Sequence, residues 1–243
     1  MLGIFILSLL SYLVLKYYKL DFLLLNLKVS LKHSNDFLVG FFWPIFYWCL
    51  YEFIVAEIVE NPYQINASFT ANNFSDTFLF LLRSVLFEEL IFRGAFFCLI
   101  CYKLSINYAI IISTISFGIY HWFSWELFGN PTAMIVVFLM TGCMGFIFAY
   151  TLVRSGSVYI STALHLSGNL TNILIFSKDY SLGKQWLVKS FADDPFLPNP
   201  WISISIIILH YTGYQFFTFL LLKWYLAKRP GLDSLFKSHD QSN

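Results

Sequence analysis

The segment FEELIFRG, residues 87–94, places three charged side chains inside a run of apolar residues. Glu88, Glu89 and Arg93 are preceded by SVLF and followed, after one glycine, by AFFCLIC. A charged group at membrane depth is energetically costly unless it is paired or hydrated, so such groups usually mark a functional site. The segment therefore predicts a helix that carries chemistry rather than one that only faces lipid.

The rest of the chain has the composition of an integral membrane protein. It has 243 residues, of which 58% are hydrophobic and 12% charged, whereas soluble domains carry about 25% charged residues. A bilayer crossing needs about 20 apolar residues in a helix. The net charge of +1, without a basic tail, argues against a nucleic-acid partner. Continuous apolar runs also exclude the alternating pattern of a membrane β-barrel.

These runs predict an all-α polytopic membrane helix bundle with about seven transmembrane helices and a polar cavity between them. Residues 1–243 are expected to form one integral membrane domain that crosses a cell membrane several times and contacts its lipids. The predicted helices span residues 2–27, 36–58, 75–101, 105–123, 132–152, 156–176 and 201–226.

Polar side chains recur on two further predicted helices. FGIYH carries Phe117 and His121, and HLSGN carries His165 and Asn169. The members of each pair are four residues apart, which places them on one face of a helix. A lone histidine in a membrane helix usually packs against another helix, but two such pairs together favour a hydrated polar pocket.

The two glutamates of the opening segment are adjacent and diverge by about 100° around the helix axis. We therefore expect one carboxylate to face a reaction centre and the other to be held by Arg93 or by a neighbouring helix. Arg93 follows Glu89 by four residues, so these two can form a buried structural pair. The remaining carboxylate, Glu88, is then a candidate general base.

Other polar or small residues in the apolar runs are interpreted as structural. Glu52 is predicted to lie at a membrane interface, and His210, within IIILHYTGY, is predicted to be a packing residue. Gly142 and Gly145 in TGCMGF favour close approach of two helices.

The three motifs resemble those of the CPBP family, the CAAX-processing and bacteriocin-processing (Abi) intramembrane proteases. EELIFR matches the family's EExxxR motif, FGIYH matches FxxxH and HLSGN matches HxxxN, in the same order along the chain. The resemblance covers a family-like catalytic core at about residues 78–176. It implies an endopeptidase with a water-filled active site that acts on a membrane-associated protein or peptide. This short chain is more similar to the bacterial members, which implies a bacterial inner or plasma membrane.

For peptide hydrolysis, we expect Glu88 to be the general base that activates water, with His121 assisting. Glu89 and Arg93 are expected to orient the first helix of the site and to set its charge. The roles of the two glutamates could be exchanged, because the motif alone does not distinguish them.

His165 and Asn169 are expected to face the developing oxyanion, where preorganised donors are most effective. A mechanism without a cofactor is favoured. A zinc mechanism is the open alternative, and its ligands would be Glu88, His121 and His165, with water in the fourth position. There is no HExxH motif, so these ligands would have to converge from three helices.

A different class of function could use the same groups. Glutamate and histidine side chains within helices also serve as proton relays. A proton-coupled transporter, or an immunity or interaction protein without catalysis, is therefore the alternative. The sequence shows no paired halves of the kind that many transporters have.

Overall fold

Helices account for most of the chain in the computed structural model, which describes residues 2–20, 30–176 and 184–232. Two of the helices continue directly into π-helical turns, α7 into Leu170–Ile175 and α8 into Leu209–Gly213. The predicted helical bundle is confirmed for this part of the chain. The helices are α1 Leu2–Tyr17, α2 Leu31–Ile58, α3 Ala71–Arg93, α4 Ala95–Lys103, α5 Ile106–Ser124, α6 Pro131–Ser155, α7 Tyr159–Asn169, α8 Pro200–Ile208 and α9 Tyr214–Tyr225.

Three helical runs among the described residues are long and apolar enough to cross a membrane. They are α2 with 28 residues, α6 with 25, and the 26-residue run from Pro200 to Tyr225. Their outer faces expose large apolar side chains such as Phe46, Leu139 and Phe216. These features indicate a membrane protein.

The seven predicted crossings are not all reproduced as long apolar helices. The first predicted helix, 2–27, is helical from Leu2 to Tyr17, and its residues 21–27 lie outside the described part of the chain. The predicted helix 156–176 consists of 11 α-helical residues followed by a π-helical turn. Apolar composition predicted where helices occur, but it did not predict their lengths.

The helix predicted for residues 75–101 is in fact two helices, α3 and α4, separated at Gly94. The backbone of Gly94 has φ −80° and ψ −145°, and a Cβ atom there would lie 2.2 Å from the carbonyl oxygen of Leu90. Ser113 of α5 donates a hydrogen bond of 3.1 Å to the carbonyl oxygen of Phe92, next to the break. The three charged residues of the opening segment therefore lie close to the end of α3.

Close helix packing positions the elements that carry the motifs. Small residues bring α5 and α6 together, as TGCMGF predicted, because a Cβ on Gly145 would lie 3.0 Å from the Cβ of Phe117. α2 approaches α7 in the same way at Gly40, where a Cβ would lie 2.7 Å from the carbonyl oxygen of Ile160. These contacts leave little freedom in the relative positions of the four helices.

The two long polar connections pair with each other through a small antiparallel ribbon. Strand β1, Tyr63–Ile65, pairs with strand β2, Leu187–Lys189, with Tyr63 opposite Lys189. Asn61 strengthens the junction, because its side-chain amide donates 2.9 Å to the carboxylate of Asp194.

We expect Gly94→Ala to lower the free energy of unfolding by about 1–3 kcal/mol, because the added Cβ overlaps backbone that cannot move freely. Thermal unfolding of the detergent-solubilised protein measures this change. Gly142→Ala is the matched control, since its Cβ would meet its nearest neighbour at an ordinary 3.7 Å. Equal unfolding temperatures for the two variants would contradict the assignment of Gly94 as an obligatory break.

Candidate active site

Apolar packing between α3 and α7 brings the first and third motifs together. Leu81 and Val85 of α3 belong to one buried cluster with Leu166 of α7 and Leu170 of the π-helical turn that follows it. Glu88 follows Val85 by three residues and so continues the same face of α3. The part of α3 that carries the two glutamates is therefore directed at the middle of α7.

The two adjacent carboxylates of α3 meet at a single imidazole. Oε1 of Glu89 lies 3.0 Å from Nδ1 of His165, and Oε2 of Glu88 lies 3.6 Å from Nε2 of the same ring. The carboxylates leave the helix in different directions, as predicted, but the ring presents a nitrogen to each. His165 thus links both glutamates, which the sequence analysis did not foresee.

Arg93 holds Glu89 in place, as the four-residue spacing predicted. Its Nη1 lies 3.2 Å from Oε1 of Glu89, and the arginine is fully buried. The guanidinium lies over the rings of Phe117 and Phe148, at 4.3 and 4.9 Å from the ring centroids. Its Nη2 reaches the carbonyl oxygen of Gly145 at 3.5 Å. The cation is therefore enclosed by α3, α5 and α6.

Glu88 is the carboxylate that does not pair with Arg93. Its Oε1 accepts a hydrogen bond of 3.1 Å from the hydroxyl of Ser84, one turn earlier on α3. Its Oε2 is buried and makes no hydrogen bond to any described residue. Within the described chain, its ion-pair contact is with His165 and not with a lysine or arginine. This is the arrangement expected of a group kept available for proton transfer.

The second motif positions His121 through its own helix. Nδ1 of His121 lies 2.8 Å from the carbonyl oxygen of Phe117. Because a carbonyl oxygen can only accept, Nδ1 carries the hydrogen, and in the neutral ring Nε2 keeps its lone pair. The ring packs edge-on against Phe117 and Trp125, at 4.7 and 5.3 Å between centroids. The FxxxH spacing therefore fixes both the tautomer and the direction of this imidazole.

The second and third motifs border one cavity of about 640 Å³. His121, His165 and Asn169 all line it, and Asn169 is the last residue of α7, directly before the π-helical turn. Glu88 is not one of the lining residues and lies behind His165. The structure thus brings all three motifs to one place, with the histidines at the wall and the glutamates in the layer beneath.

The cavity also includes residues that the sequence analysis placed elsewhere. Glu52 lines it and accepts a hydrogen bond of 2.6 Å from the hydroxyl of Tyr63. His210 packs against Trp48 at 5.5 Å between centroids, as a packing residue should, but it also borders the cavity. Only the docking of the C-terminal helices against α2 places them here, and no local sequence pattern carries that information.

The zinc alternative requires three side chains that converge on one metal ion. No group of three His, Cys, Asp or Glu side chains within residues 2–20, 30–176 and 184–232 is arranged to hold a metal ion. The nitrogens of His165 face the two carboxylates, and Nδ1 of His121 faces a backbone carbonyl. Nδ1 of both histidines is thus engaged by a protein oxygen, which leaves Nε2 as the nitrogen of each ring that is open to a ligand.

Residues 70–171 match the family model described as type II CAAX prenyl endopeptidase Rce1-like. These residues are similar to the CAAX protease family. The matched range contains EELIFR, FGIYH and HLSGN, which carried the resemblance in the sequence. It covers α3 to α7 of this chain. The comparisons with curated proteins and with solved structures gave no match.

Replacing Arg93 by methionine should lower the free energy of unfolding by about 3–5 kcal/mol, because it leaves the buried Glu89 without its cation. The double variant Arg93→Met/Glu89→Gln removes both charges and should recover much of the loss. Unfolding of the two variants in detergent measures the coupling. A double variant no more stable than Arg93→Met would show that the pair does not stabilise the fold.

Proposed function

We propose that this protein is an intramembrane endopeptidase that hydrolyses a peptide bond of a membrane-associated protein or peptide. The observation that carries the proposal is the convergence of Glu88 and Glu89 on His165 at the wall of the cavity. The match of residues 70–171 to the CAAX endopeptidase family model supports the same reaction class. The long apolar helices place such a cavity within a membrane protein.

Glu88 is the proposed general base. Its unpaired Oε2 lies 3.6 Å from Nε2 of His165, which lines the cavity. A water molecule bound at this nitrogen comes within hydrogen-bonding reach of the carboxylate. Glu88 takes a proton from this water as its oxygen attacks the scissile carbonyl carbon. Nε2 of His121, directed by the bond from Nδ1 to Phe117, assists in holding the water.

The oxyanion that forms needs donors that are already in position. His165 and Asn169 lie one turn apart on α7, and both line the cavity. Nδ1 of His165 faces Glu89, so Nε2 has a fixed direction, and it donates to the oxyanion when the ring is in its imidazolium form. The side-chain amide of Asn169 supplies a second donor. The proton taken up by Glu88 then passes to the leaving amine as the peptide bond breaks.

Glu89 and Arg93 act as positioning residues in this scheme. Their ion pair is fully enclosed and touches the site only through His165. The proposed mechanism requires no metal ion, and its catalytic groups are the side chains of this chain alone.

Glu88→Gln should reduce cleavage of a membrane-anchored peptide in proteoliposomes by about 10²–10⁴-fold, the usual contribution of a general base. The amide keeps the size of the side chain, so the unfolding temperature should change little. Glu57→Gln is the matched control, because Glu57 is an exposed acid of α2 outside the site. Full activity of Glu88→Gln, with folding intact, would refute the proposed mechanism.

Activity should survive exhaustive treatment of the purified protein with a metal chelator, followed by desalting, because the proposed groups act without a metal. The rate of peptide cleavage before and after treatment is the measurement. A loss of cleavage that zinc restores would establish the metal-dependent alternative instead.

A further inference from the structure

A second set of buried polar groups faces the cavity from α2 and α9. Trp48 is 6% exposed, and its indole N–H makes no hydrogen bond to any residue that the structure describes. The side-chain carbonyl oxygen of Gln215 is also buried without a donor in the described chain. Both residues line the same cavity as His165 and Asn169. Unpaired buried polar atoms are rare because they are costly, so each calls for an explanation.

The indole of Trp48 is held firmly by the rings around it. Its centroid lies 5.6 Å from that of Tyr51 and 5.3 Å from that of Tyr214. Tyr51 is itself fixed by a hydrogen bond of 3.2 Å to the carbonyl oxygen of Ile206 in α8. The N–H group therefore has a fixed direction and cannot rotate to find another acceptor.

Trp43, five residues earlier on α2, is an example of a tryptophan with a structural role in this protein. Its indole N–H donates a hydrogen bond of 2.8 Å to the hydroxyl of Thr218 in α9. Trp43 is not among the cavity-lining residues. The two tryptophans thus differ in their hydrogen bonding, since Trp48 belongs to the cavity lining and has an indole donor that no described residue uses, whereas the donor of Trp43 is bonded to Thr218.

The α2 and α9 side of the cavity adjoins the catalytic side. Tyr214, whose ring packs at a tilt against Trp48, also lines the cavity, and its hydroxyl would lie 3.6 Å from a Cβ placed on Gly168. Gly168 directly precedes Asn169 in the HLSGN motif. A ligand that contacts Trp48 can therefore extend to the residues of the motif.

We propose that Trp48 and Gln215 form a main-chain subsite that binds the peptide substrate in an extended conformation. The indole N–H of Trp48 donates to a substrate carbonyl oxygen, and the side-chain oxygen of Gln215 accepts from a substrate amide N–H. This inference rests on the proposed peptidase function and adds to it the mode of substrate recognition.

The chemistry of the two groups selects a peptide. One uncharged donor and one uncharged acceptor match the N–H and C=O of a single residue. In an extended chain these two groups point to the same side, as in a hydrogen-bonded pair of antiparallel strands. A hydrocarbon chain offers neither group. The subsite therefore sets the register of the substrate largely independently of its side chains.

The test uses Trp48→Phe and Gln215→Leu, with Trp43→Phe as the matched control, on a membrane-anchored peptide in proteoliposomes. Each subsite variant should raise KM about tenfold, the effect of one neutral hydrogen bond, with kcat within about twofold of the wild type. Trp43→Phe should leave KM unchanged. An equal rise of KM in all three variants would show that Trp48 acts only in packing and would overturn the proposal.

A series of substrates with one amide replaced by an ester provides a readout that packing defects do not mimic. Each ester removes a single N–H group from the peptide. At one position it should raise KM about tenfold for the wild type and have no further effect on Gln215→Leu. An ester series that affects both proteins equally at every position would also overturn the proposal. This comparison remains valid if Trp48→Phe fails to fold.

The experiments distinguish a failure of the main-chain subsite from a failure of the proposed peptidase mechanism. If Glu88→Gln is inactive while the subsite variants and the ester series behave like the wild type, the main-chain subsite is wrong and the peptidase assignment stands. If Glu88→Gln keeps full activity, the proposed mechanism itself is wrong. Binding of the uncleaved peptide to Glu88→Gln, compared with Glu88→Gln/Trp48→Phe, then tests the subsite alone, and equal dissociation constants would overturn it.

Discussion

A single carboxylate oxygen, Oε1 of Glu89, is the contact on which the site depends. It receives both Nη1 of Arg93 and Nδ1 of His165, so it joins α3 to α7. Buried charges are tolerated only when their partners are in place, and each partner here is itself enclosed. The register of α3 against α7 is therefore set by an electrostatic requirement as well as by apolar packing. The position of Glu88, one residue earlier, follows from it.

Phe117 packs beside this contact and connects it to His121. Its ring lies 4.3 Å below the guanidinium of Arg93 and 5.8 Å from the ring of His165. Its backbone carbonyl accepts the hydrogen bond from Nδ1 of His121. One residue thus supports a cation and both imidazoles. Any residue at position 117 would supply this carbonyl, so the specific contribution of phenylalanine is its ring, which contacts Arg93, His121 and His165.

Both π-helical turns of the described chain border the cavity. The turn after α7 contributes Asn172 and Ile173 to the lining, and the turn after α8 contributes His210. π-helical turns often occur at functional sites because they alter the direction of the side chains that follow. Here they allow α7 and α8, which begin as regular α-helices, to present polar side chains to the cavity.

The sequence by itself determined the class of the protein and the polar motifs that meet at the candidate site. The scarcity of charge requires a membrane environment, and four-residue spacing places each motif pair on one helical face, because both follow from properties local to the chain. Tertiary structure alone decided that two diverging carboxylates meet at His165, since an imidazole has a nitrogen on each side and α7 brings the ring between them. It also decided the break at Gly94, where the apolar pattern continues unchanged, and the entry of Trp48 and Gln215 into the cavity. Those positions depend on contacts between helices far apart in the chain, and no local spacing records them.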